Sequence, residues 1–162
     1  MSEGTMDRFA DPLAVDSVPS PADAGLIKVA AVVLLSEAAA LTVRKRSSSL
    51  FQLPGGKAER GETWLQTAIR ECREETGIEL DPRELTYLGR FDATAANEPG
   101  MRVESTVYLS RVDRARLSPT PQAEIAELRW TPLGADPADL APLLATRIFP
   151  ALIGTQCGDV EL

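Results

Sequence analysis

Three glutamates, Glu71, Glu74 and Glu75, crowd the end of a helical pattern, and any fold open to this chain has to give them a place. From Thr63 to Thr76 the residues Leu65, Ala68, Ile69 and Cys72 recur at i, i+3, i+4 and i+7, the period of a helix with one buried stripe. Gly77 supplies the C-terminal stop. With Leu65 at zero and about 100° per residue, the stripe spans about 300° through zero to about 40°, and Glu74, Glu71 and Glu75 fall near about 180°, 240° and 280°. The three carboxylates therefore share a face beside the stripe that docks on the core, although like charges at helical spacing repel by roughly 0.2–0.5 kcal/mol per pair. Two arrangements tolerate that cost. One is a solvated face on which Arg70 and Arg73 neutralise the charge. The other is a divalent-cation site, because Mg²⁺ favours carboxylate oxygens and is commonly shared with substrate phosphates.

The neighbouring residues favour the second. In "FQLPGGK" the Pro54-Gly55-Gly56 sequence reads as a turn whose glycines let a backbone carbonyl approach closely, where a β-carbon would obstruct. Glu62 lies just ahead of the helix and can reach the same space, and Arg70, near about 140° on the same wheel, can clamp a carboxylate. At these positions the chain resembles the signature of the Nudix hydrolases, G-x5-E-x7-R-E-U-x-E-E-x-G-U, where U is a bulky aliphatic. Gly56, Glu62, Arg70, Glu71, Glu74, Glu75 and Gly77 occupy its fixed positions and Ile78 its last aliphatic one, while Cys72 stands at the first aliphatic position. Cys72 reads as a small buried hydrophobe rather than a reactive thiol.

The resemblance is most specific from Gly56 to Ile78 and extends loosely from about Ile27 to Ile153. It implies an α/β/α sandwich with a catalytic loop–helix–loop, and metal-dependent hydrolysis of a nucleoside diphosphate linked to another moiety. Carried onto this chain, it implies that Glu71, Glu74 and Glu75 bind Mg²⁺ or Mn²⁺ with the Gly55 carbonyl as a further ligand, that Glu62 lies in the outer shell, and that Arg70 orients a glutamate. Glu71 is the first choice for the general base, which makes Glu71, Arg70 and Glu74 the expected catalytic group. Glu124 and Glu127 in "QAEIAELRW" are alternative bases, or else ordinary surface glutamates.

The rest of the chain suits that architecture. Ile27–Leu35 and Ala40–Val43 read as a hairpin across a Ser36-Glu37 turn, Phe51–Leu53 as a short strand, and Leu85–Thr94, Val103–Val112 and Ile125–Trp130 as further strands. After Asp136-Pro137, the spacing of Leu140, Leu143, Leu144 and Ile148 predicts a C-terminal helix that Pro142 and Pro150 break or shorten. Strands before, between and after two helices give an α+β or α/β class with a mixed sheet. At 162 residues the chain is expected to hold one domain over 27–162, preceded by an irregular arm over 1–26 that does not read as a signal peptide.

Charge and composition narrow the partners. A net charge of −7 and a pI near 4.7 disfavour polymeric nucleic acid, whose phosphates meet a repulsive field. Histidine is absent, which removes imidazole as a base and as a zinc ligand. Two cysteines suit a reducing, cytoplasmic setting, and the longest apolar run, Val29–Leu35, is far too short to cross a bilayer. The expected partner is a small nucleotide, bound by a monomer or homodimer. The sequence around "FQLPGGK" most resembles the MutT-type branch, which acts on nucleoside triphosphates. Pro99-Gly100 with Glu104 beyond it resembles ADP-ribose pyrophosphatases, and a non-catalytic nucleotide-binding module is the reading from another class. Phe51, Phe91 and Asn97 are candidates for the base pocket, with the core or a turn as their plainer roles.

Overall fold

The structure, a computed structural model, describes residues 25–160, with side chains through residue 154. The expected arm over residues 1–26 lies outside the described residues except for its end, where Leu26 already belongs to the first strand.

That strand, β1 (Leu26–Ser36), is the axis of the molecule. Its even residues Ala30, Val32 and Leu34 enter one apolar cluster and its odd residues Ala31, Val33 and Leu35 another. A strand buried on both faces needs an unbroken apolar run rather than alternation, which is what the sequence supplies. After a turn at Glu37 (φ 56°), β2 (Ala39–Lys45) runs back antiparallel. β3 (Phe51–Gln52) and β4 (Gly55–Gly56) follow, then helix α1 (Trp64–Thr76), β5 (Thr86–Thr94), β6 (Arg102–Arg111), β7 (Ile125–Pro132) and helix α2 (Phe149–Val160). The strand order is β3-β2-β1-β6-β5, with β4 added to β1 and β7 to β2. β1 and β6 are parallel and the other pairs antiparallel, so the sheet is mixed as expected.

β1 and β2 share only the pairs Leu35–Ala40 and Ser36–Ala39 next to their turn. Further along, β4 takes the place beside β1, opposite Ala30 and Ala31. Helix α1 covers one face of the sheet through Trp64, Ala68 and Cys72, and the segment from Leu140 to Leu152 covers the other. The three layers are those of the expected sandwich. Cys72 is fully buried, and burial pushes its thiol up to about 11, in keeping with a core role.

Helix α1 begins at a capping box in which the Thr63 side chain accepts from the Gln66 N–H and the Gln66 side chain accepts from the Thr63 N–H. It ends at Gly77 in the left-handed region (φ 78°), whose N–H donates to the Arg73 carbonyl at 2.9 Å. Two expectations require correction. Gly55 and Gly56, expected in a turn, form the short strand β4. The C-terminal helix does not begin at Asp136: a 3₁₀ turn at Pro137–Asp139 comes first, and helical backbone starts at Pro142, where a proline costs little. Nor does Pro150 end it. A π turn at Leu144–Ile148 precedes α2, with the Phe149 N–H bonded to the Leu144 carbonyl, and this wider turn admits a ring that cannot donate a hydrogen bond. Among the described residues no helix is long and apolar enough to cross a membrane.

Candidate active site

β4 is pressed between β1 and the carboxylates of α1, and this crowding is what requires two glycines. A Cβ on Gly55 would stand 2.3 Å from the Ala30 carbonyl oxygen, and one on Gly56 would stand 2.6 Å from Cδ of Glu71. The glycines serve close approach rather than a turn. The Gly55 N–H donates to Oε1 of Glu75 at 3.1 Å. Glu71 and Glu75, one helical turn apart, thus both end against this two-residue strand.

Their electrostatics differ from those of surface glutamates. Glu75 is 2% exposed, and its carboxyl is pushed up to about 8, first by burial and then by the charge of Glu71. The Gly55 N–H and the charge of Lys45 oppose this shift without cancelling it, and among the described residues no cation is ion-paired to Glu75. Glu71 is also held above the ordinary carboxylate range by burial, although Arg70 acts against it.

Arg70 is the hub of the carboxylate group. Its Nε donates to Oε2 of Glu62 at 2.6 Å, and its Nη1 donates to Oε1 of Glu71 at 3.0 Å and of Glu74 at 2.9 Å. Its Nη2 donates to Oε1 of Glu62 and to the Lys57 carbonyl, both at 3.0 Å. The guanidinium holds the Glu62 carboxyl down to about 2, and Glu62 also accepts from the Thr67 hydroxyl and the Glu59 N–H. Glu62 is therefore a support for Arg70. Glu74 is half-exposed and turned toward Arg70, which leaves Glu71 and Glu75 as the pair facing β4.

Among the described residues no three Asp, Glu, Cys or His side chains stand gathered to hold a metal ion, since Arg70 draws an oxygen from both Glu71 and Glu74. The donor chemistry nevertheless suits a hard divalent cation: two adjacent carboxylates, one of them desolvated and without an ion pair among the described residues, lie against the backbone of Gly55.

On their other side, Gly55 and Gly56 line a cleft of about 140 Å³. Val29, Leu143 and Leu144 give it apolar walls, and Lys45, Asn97 and Ser105 bring polar groups. Asn97 lines this cleft. Phe51 and Phe91 do not line the cleft: Phe51 is a core residue, 4% exposed, with the Arg129 guanidinium 3.7 Å over its ring, and Phe91 packs against the same cluster. Glu124 is exposed beside the site, with Oε1 3.5 Å from Nζ of Lys45, and its charge is felt at Glu75. Glu127 is tied instead to Nε of Arg44 at 3.1 Å. Glu104 pairs with Arg90 at 3.9 Å and is not a cleft residue. Sequence reasoning missed Lys45, Gln52 and Ser105. The one signal available was a serine in the buried middle of a strand, beside Thr106 and Val107.

A family model described as the NUDIX domain matches residues 26–148. A protein of Mycobacterium tuberculosis that carries the name mutator protein MutT4 is 40% identical over 131 residues, covering 80% of this chain and 47% of that protein. The chain thus spans about half the length of that curated relative. Among solved structures, a MutT protein from Methanosarcina mazei Go1 aligns with a TM-score of 0.65 at 21% identity, covering 86% of this chain and 99% of the other. The NUDIX domain of Shewanella oneidensis NrtR, solved with ADP ribose, aligns with a TM-score of 0.65 at 16% identity, covering 96% and 99%. At these identities the two structures show a shared fold.

Proposed function

The chain belongs to the NUDIX family, and on that footing we propose that it hydrolyses a pyrophosphate bond in a nucleoside diphosphate-linked substrate, with a nucleoside triphosphate as the substrate and pyrophosphate as a product. The observation that carries this reading is the adjacency of the Glu71 and Glu75 carboxylates to the same Gly-Gly strand that walls the cleft. A substrate seated in the cleft has its phosphates within reach of both.

Glu71, Glu74 and Glu75, with the Gly55 carbonyl, would hold Mg²⁺ or Mn²⁺. When bound, such a cation neutralises phosphate oxygens, stabilises the leaving group and acidifies an attacking water. Glu71, set against Gly56, would accept the proton from that water. Arg70 orients Glu71 and Glu74 by one oxygen each, and Glu62 in turn fixes Arg70. Lys45, at the mouth shared by the cleft and the carboxylates, brings positive charge toward the substrate phosphates. Glu124, beside Lys45, is the alternative base.

The MutT-type name of the 40% identical relative supports the triphosphate reading. A binding module without catalysis would have no use for the complete set of box glutamates. Hydrolysis in ¹⁸O-water tests the choice: attack at the β-phosphorus of a nucleoside triphosphate places the label in pyrophosphate, with unlabelled monophosphate. Cleavage of ADP-ribose or a nucleotide sugar without turnover of any triphosphate overturns it.

A further inference from the structure

The cleft holds a polar group that nothing among the described residues satisfies. Ser105 lies at the middle of β6, 1% exposed, and among the described residues its hydroxyl has no hydrogen-bond partner. Its backbone lies within the sheet, opposite Val29 of β1 on one side and Phe91 of β5 on the other. Side chains of a strand alternate between faces, so Ser105 shares a face with Val103 and Val107. Val103 lines the cleft and Val107 belongs to the apolar cluster on that side, which puts the Ser105 hydroxyl on the cleft side of the sheet. The hydroxyl of its neighbour Thr106 follows the opposite face and accepts from Arg90.

A valine at position 105 would suit this environment better than serine, because a buried hydroxyl without a partner is destabilising and a β-branched apolar chain packs well in a central strand. The cleft around it is apolar through Val29, Val103, Leu143 and Leu144, with Asn97 at its loop. An apolar slot with a few convergent polar groups is the form of a site that takes a flat heterocycle and fixes its orientation by hydrogen bonds at the edge. Among the described residues no aromatic side chain lines it, so discrimination falls to the polar groups.

We propose that Ser105 is a specificity-determining residue, whose hydroxyl makes a hydrogen bond to the edge of the nucleobase seated in the cleft. This rests on the reading of the substrate as a nucleotide, and it names the group that reads the base. The bond replaces one that the free protein lacks, so Ser105 costs the unliganded chain stability and returns it on binding.

The test uses the full chain without divalent metal and a panel of AMP, GMP, CMP, UMP and ribose 5-phosphate, with affinity measured by calorimetry and stability by thermal melting. The wild type should prefer one base and bind that monophosphate more tightly than ribose 5-phosphate. In Ser105→Ala the preferred monophosphate should bind about tenfold more weakly, the preference among bases should shrink, and the unliganded melting point should stay level or rise. A purely structural hydroxyl predicts the reverse, a lower melting point with the preference intact, and that result overturns the proposal. So does a wild type that binds no monophosphate, or one whose ribose 5-phosphate affinity falls with the substitution as steeply as the nucleotide's, which would place the bond on the sugar. Triphosphate hydrolysis by wild type, measured separately, keeps the two readings apart: turnover with unchanged base preference in Ser105→Ala removes this inference alone.

Discussion

Glu75 shows how one buried side chain ties stability to chemistry. Its folded-state pKa of about 8 lies above the ordinary 4.5, so between those values the folded chain keeps a proton that the unfolded chain has released. Stability of the metal-free protein should therefore fall as pH rises from about 4.5 to about 8, and level off above. Glu62 acts in the opposite sense: with its pKa held near 2, its contribution is complete above 4.5 and is lost as pH falls toward 2. Melting temperatures across pH 5 to 9 in a chelator should decline for the wild type, and Glu75→Gln should flatten that decline and be the more stable protein at about pH 8. The same variant should lose turnover by orders of magnitude at limiting Mg²⁺. Glu71→Gln differs, since the substitution weakens the pair with Arg70 as well as removing the charge that acts on Glu75.

At the scale of the element, the two glycines of β4 make separable contributions. In Gly55→Ala the new methyl group meets the Ala30 carbonyl and the Ala31 backbone, which cannot swing away, and the cost should be at least about 1–3 kcal/mol by denaturant unfolding. In Gly56→Ala it meets the Glu71 carboxylate, the far end of a flexible side chain, so stability should change by less than about 1 kcal/mol while turnover falls by about a hundredfold as Glu71 is displaced. The elements that sequence pattern revealed are those with their own period: α1 with its stop at Gly77, β1 with its apolar run, and the carboxylate face with Arg70. β4 has two residues and no period, so only its partner strand identifies it. The C-terminal segment misled because Pro150 signals a break wherever the backbone is taken as α-helical, and the π turn before it has no composition of its own. The cleft was illegible for a related reason. Its walls come from β1, β6, the loop near Asn97 and the segment from Ala141, which share no local pattern, and the aromatics chosen from composition proved to be core.

For the whole molecule, a cation that binds the folded chain and not the unfolded one stabilises it by about 2.7 kcal/mol at a hundredfold excess over Kd. Millimolar Mg²⁺ should raise the melting temperature by several degrees, beyond the effect of NaCl at equal ionic strength, and the gain should shrink in Glu71→Gln and Glu75→Gln. An identical response in all three proteins would leave the carboxylates as a solvated face. The net charge of −7 works in the same direction, because every bound divalent ion relieves a repulsion spread over the chain. The sheet adds a constraint of order in time. β1 is held along its length by the parallel ladder to β6, from Leu26–Arg102 to Leu35–Arg111, and everything that bears the carboxylates is contained in the loop between those two strands. During synthesis the entire catalytic segment leaves the ribosome before β6, the strand that pairs with β1 along its length. Closing so long a loop is slow and entropically costly, and the segment from Ala141 that walls the cleft follows later still, so a chain halted before β6 carries the acids of the site with no pocket to serve.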